Sequence, residues 1–135
     1  MKKRLIKATL IYGVTWLACL VLHWGSLATG VLGGGGIMGY TILSLYIALP
    51  IAGIVSAFLI GRMTELRWRR LAAPVAIDAL HALFIAATFG LSNALGLTNI
   101  AAADLSAFAY GLAPAMVGLA IGWVTARHPA TTSKL

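Results

Sequence analysis

A chain of 135 residues that is 61% hydrophobic and only 10% charged is too apolar for a water-soluble domain of its size. Ten Lys and Arg against three acids give a net charge of +7, an excess that could serve nucleic acid. The placement of those basic residues gives a different account, and no nucleic-acid partner is expected.

Four apolar runs organise the chain, at about residues 5–27, 37–60, 71–91 and 106–126. Each approaches or exceeds the ~20 residues that cross ~30 Å of hydrocarbon at 1.5 Å per residue. A segment in lipid must satisfy its own backbone, so the lengths predict helices. The expected fold is an all-α integral membrane four-helix bundle, one domain over residues 1–135.

The first run follows Lys2, Lys3, Arg4 and Lys7. A basic tip before an apolar stretch imitates a cleaved signal peptide. Trp16-Leu17-Ala18-Cys19 makes a poor lipoprotein cleavage site, however, and Leu20-Val21-Leu22 continue the apolar run, so this segment is expected to be retained. At 100° per residue, Thr9, Tyr12, Trp16, Cys19 and His23 fall on one polar stripe. Cys19 is the only cysteine, which excludes an intrachain disulfide or a cysteine metal cage.

The link Gly25–Gly36, GSLATGVLGGGG, is glycine-rich but lacks the Lys-Ser/Thr of a phosphate-cradling loop. It reads as an apolar loop at the membrane interface. In the second run Pro50 removes a backbone donor and leaves the Tyr46 carbonyl without its helical partner, which predicts a kink. The next link, GRMTELRWRR, carries Arg62, Arg67, Arg69 and Arg70 around Trp68. Those five residues are expected to anchor anionic lipid headgroups, and Glu65 would pair with Arg69 if a helix ran through.

The third run carries Asp78, His81, Thr88 and Ser92 on one stripe. The link Ser92–Leu105 holds only Asp104 as charge. On the fourth run Ala107, Gly111 and Ala115 recur every four residues, and Gly118 and Gly122 continue nearly the same face. Small residues at that spacing mark a packing face, within the bundle or between protomers. Pro114 predicts a second kink by freeing the Tyr110 carbonyl. His128–Leu135 reads as a disordered tail.

With these runs as spans, every basic residue lies on one side: at the N-terminus, in the second link, or at Arg127 and Lys134. Basic residues stay on the cytoplasmic face during insertion, so both termini are expected inside. The location that fits is a plasma membrane, of the bacterial inner-membrane kind.

Polar residues within spans are where function is expected. Tyr12 and Asp78 fall roughly 10 Å in from the basic face, and Trp16 and His81 roughly 14–17 Å in. Asp78, His81, Tyr12 and Trp16 therefore form the candidate proton or substrate site, flooring a cavity expected to open outward between kinked helices two and four. His23 and His81 differ in height by roughly 13 Å, which disfavours one haem between them. No cofactor and no metal is expected.

Three functions fit. The first is a homo-oligomeric transporter or channel, coupled to protons through Asp78 and His81. The second is a non-catalytic accessory subunit that docks another membrane protein through its polar stripes. An enzyme fits least, because carboxylates do not cluster.

Overall fold

The computed structural model describes residues 1–31, 36–100 and 105–127. The expectations for the rest of the glycine-rich link and for the tail 128–135 lie outside them. Among the described residues the chain is all-helical, with four helices long and apolar enough to cross a membrane. These are α1 (Lys2–Thr29), α2 (Gly39–Gly61), α3 (Thr64–Ala94) and α4 (Ala107–Arg127).

Helix α1 is a continuous α-helix that stops at Gly30, whose left-handed φ of 68° a side chain would oppose. The other early terminus is also a glycine: Gly96, at φ 70°, turns the chain after α3 and donates to the Asn93 carbonyl. Beyond it Asn93 ties the link down, accepting from the Ile100 amide at 3.1 Å and from Thr98 Oγ1 at 2.6 Å.

Helix α2 is not regular. Residues Ile42–Ala48 form a π-helical stretch in which the Leu49 amide reaches the Ser44 carbonyl, five residues back. The α-helix resumes at Leu49 with Pro50 in its first turn, where no amide donor is needed. The irregularity expected at Pro50 thus takes the form of a widened turn before it. Pro114 lies instead within α4, in a stretch that is α-helical throughout, Leu105–Arg127.

Helix α3 differs most from the sequence expectation of residues 71–91. It opens with a 3-10 stretch, Thr64–Leu71, broken at Arg67 (φ 46°, ψ −124°), and only then becomes α-helical over Ala72–Ile85. The break removes the i,i+4 register that would set Glu65 over Arg69. A second π stretch, Ala86–Gly90, follows, with the Leu91 amide donating to the Ala86 carbonyl.

Two pairs of helices run parallel. Tyr12 and Trp24 of α1 reach Ile77 and Ala87 of α3. Gly118 and Gly122 of α4 meet Ile54 and Phe58 of α2. That second seam is a backbone contact: a Cβ on either glycine would collide with the facing carbonyl. Gly61 returns the favour, its hypothetical Cβ lying 2.5 Å from the Leu119 carbonyl oxygen. Small residues at this spacing let the two backbones come into direct van der Waals contact. The face Ala107, Gly111, Ala115, Gly118 and Gly122 is buried within the chain.

The basic end is clasped by Arg70. It is buried, unlike Arg62, Arg67, Arg69 and Trp68 of the same link, which are exposed. Its Nη1 donates to the Gly61 carbonyl at 3.0 Å, capping α2, and its guanidinium lies 3.9 Å from the Trp123 ring centroid. Arg127 stands 5.0 Å from that same centroid, and Trp68 meets Trp123 edge-on at 6.0 Å. Arg70 is therefore a fastener between α2, α3 and α4, and the headgroup-anchoring role expected of it is corrected by its burial.

Candidate functional site

The aromatic donors of α1 reach α3. Tyr12 Oη donates to the Ile77 carbonyl at 3.3 Å, Trp16 Nε1 to Leu80 at 2.8 Å, and Trp24 Nε1 to Ala87 at 3.1 Å. A helical carbonyl already accepts one amide but has a second lone pair, so it can take a side-chain donor without breaking the helix. Trp16 also meets Phe84 edge-on at 6.0 Å. Tyr12 and Trp16, grouped with Asp78 and His81 by depth, thus direct their donors to the backbone beside those residues.

Asp78 and His81 turn toward α4. A Cβ built on Gly111 would lie 2.6 Å from Asp78 Oδ1 and 2.9 Å from the His81 Cβ. The absence of a side chain at Gly111 is what makes room for both. Asp78 Oδ1, His81 Nδ1 and His81 Nε2 are buried with no hydrogen-bond partner. The i,i+3 spacing puts carboxyl and imidazole on one face, yet no hydrogen bond joins them. The pairing expected of His81 with Asp78 is corrected to a shared packing position under Gly111.

An unpartnered polar atom in a low-dielectric interior costs about 1–3 kcal/mol relative to a hydrogen-bonded one. Three such atoms on adjacent turns make a site that gains from a small polar visitor, such as water or a proton.

Nearer the other end a second imidazole is enclosed. His23 is fully buried and both its ring nitrogens are unpartnered. Phe89 packs on it edge-on at 5.0 Å, Trp24 edge-on at 5.5 Å and Tyr40 at 5.8 Å. Tyr40 in turn donates its hydroxyl to the Cys19 carbonyl. Phe89 lies within the π stretch of α3, a local widening that often accompanies functional sites. Ser56 of α2 adds a further buried, unpartnered hydroxyl. Sequence reasoning placed His23 on the stripe without giving it a role; its isolation comes from three rings on three different segments, which no local pattern announces.

The expected outward cavity between α2 and α4 is replaced by contact. Below the prolines the two backbones touch, and at the proline level Tyr46 and Tyr110 stack edge-on at 4.6 Å. Among the described residues no group of three or more His, Cys, Asp or Glu side chains comes together. No family model, curated protein or solved structure matches this chain.

Proposed function

We propose that this is a small multi-pass plasma-membrane transporter or channel whose Asp78–His81 site takes up and releases a proton. Both termini and the arginine-rich link lie on the cytoplasmic side in this reading, because all the basic residues gather there. The observation that carries it is the burial of Asp78 Oδ1 and both His81 nitrogens without partners. Carboxyl and imidazole are the side chains best suited to proton exchange, and His23, roughly 13 Å further along by helical rise, offers a second station.

The bonds of Tyr12 and Trp16 within the chain support this reading over docking to another membrane protein through the α1 stripe. Association into a homo-oligomer would need a face other than that of Gly111, Ala115, Gly118 and Gly122. The exposed residues Leu10, Val14, Leu17 and Val21 of α1 supply one. That same face is what the accessory-subunit reading would use, and the mass of the purified particle separates the two.

The test is proton flux into liposomes carrying the purified protein and a trapped pH-sensitive dye. Asp78→Asn and His81→Ala should each reduce an imposed-gradient flux to near the level of empty liposomes. Burial of Cys19 gives a check on folding, since its thiol should resist maleimide until the protein is denatured. An Asp78→Asn protein that keeps Cys19 protected and conducts as well as the unaltered chain would end the proton reading.

A further inference from the structure

The basic end holds a cavity of about 470 Å³ whose lining includes Arg4, Lys7, Arg62, Met63, Thr64 and Thr125, with no carboxylate among its lining residues. Arg4 and Lys7 come from the first turns of α1, three residues apart and so on one helix face. The positive end of the α1 dipole adds to them. Arg62 comes from the opposite wall, just after α2, with its guanidinium 5.7 Å from the Phe58 ring centroid. Met63, which is buried, is an apolar member of the lining.

Three cations facing one cavity repel each other unless an anion lies between them. The hydroxyls sort by role. Thr125 Oγ1 already donates to its own helix, at 3.0 Å to the Ile121 carbonyl. Thr64 lies exposed at the cavity wall and supplies a hydroxyl donor to the set. Such a set of charged donors around a compact space suits a phosphate group, which accepts from several at once.

We infer that the Arg4–Lys7–Arg62 cavity is a binding site for a phosphate oxyanion, carried by an anionic phospholipid headgroup or by a soluble phosphate. Its position at the ends of the spans is the depth at which headgroups lie. It is separate from Arg67, Arg69 and Trp68, which face outward on the link, and it does not depend on the proton reading.

The test uses the purified full chain in a neutral detergent. Native mass spectrometry would count phosphatidylglycerol and phosphatidylcholine retained, and a parallel melt would measure stabilisation by inorganic phosphate. One phosphatidylglycerol per chain, retained saturably while phosphatidylcholine is lost, supports the lipid source. Stabilisation by inorganic phosphate without lipid selectivity supports the soluble source. The double variant Lys7→Gln/Arg62→Gln should bind about thirtyfold more weakly, the loss expected for two basic residues near a lipid surface. The charge-matched control Lys2→Gln/Lys3→Gln, at exposed positions outside the cavity lining, should bind as the unaltered chain does. Absence of saturable binding of either ligand overturns the assignment, as does equal weakening in the two double variants. The first of those outcomes needs no variant, so a variant that misfolds leaves the proposal testable.

Discussion

Gly111 of α4 sits against Asp78 of α3 so closely that a methyl group on the glycine would come 2.6 Å from the carboxylate oxygen Oδ1. The same methyl would lie 2.9 Å from the His81 Cβ, so one missing side chain accommodates two polar ones. Gly111→Ala should therefore push α3 and α4 apart and cost about 1–3 kcal/mol of stability. Gly13→Ala is the comparison, because nothing lies within 4 Å of a Cβ there. It should be neutral or gain up to about 1 kcal/mol from helix propensity. Thermal melts in detergent, read by protection of Cys19, measure both.

The α2–α4 seam should be less forgiving still. At Gly118 and Gly122 the atoms that an added Cβ would meet belong to the Ile54 and Phe58 backbone, which cannot rotate away. Each alanine substitution is expected to cost at least about 2 kcal/mol, at the upper part of the overpacking range. A melting temperature for Gly118→Ala at or above that of Gly111→Ala would contradict the claim that this seam is the tighter one.

Arg70 and Arg69 are neighbours with different fates. Arg70→Gln loses both the bond to the Gly61 carbonyl and the stacking on Trp123, and should cost about 2 kcal/mol. Arg70→Lys should recover little, since an ammonium cannot both lie flat on an indole and reach the carbonyl as a planar fork does. Arg69→Gln, at an exposed position, should change stability by less than about 0.5 kcal/mol. Protease nicking near residues 62–70 gives a second readout, and it should rise only in the Arg70 variants.

The orientation proposed for the chain has its own check. In a Cys19→Ser background, Ala94→Cys and Glu65→Cys place single thiols at exposed positions near opposite ends of α3. A membrane-impermeant maleimide added to intact cells should label residue 94 and leave residue 65 unlabelled until the membrane is opened. The reverse pattern would invert the orientation and place the phosphate cavity on the outer face.

The four helices were legible because apolar runs of adequate length have one structural solution in lipid, and their ends fell near the changes in composition. The beginning of α3 was not. Four arginines within nine residues read as a solvated link, and only Arg70, folded back onto Gly61 and Trp123, draws that stretch into the helix. The π stretch at Ile42–Ala48 was signalled only as a kink at Pro50, and the one at Ala86–Gly90 has no proline after it to announce it. Prolines were readable as missing donors, yet the widened turn before Pro50 was not, and Pro114 lies within a stretch that is α-helical on both sides of it.

For the candidate site, the wheel showed which residues share a stripe and depth showed which share a level. Neither could show that Tyr12 and Trp16 choose main-chain carbonyls as partners, because a carbonyl is present at every position and leaves no mark in the sequence. Gly111 was legible as a small residue in a regular series. That it lies over Asp78 and His81 required the relative rotation of two helices, which spacing along one of them does not contain.

The bonds from Tyr12, Trp16 and Trp24 to the carbonyls of Ile77, Leu80 and Ala87 make the attachment of α1 one-sided. In these three bonds the donors all belong to α1, while α3 contributes peptide oxygens that any sequence would present. Side chains at 80 and 87 can therefore be exchanged without erasing these bonds, and at 77 within the limits of its burial, whereas the aromatic donors facing them cannot. A library randomised along both helices should keep its Tyr and Trp on the first and vary at 80 and 87 on the third, with position 77 held apolar by its burial.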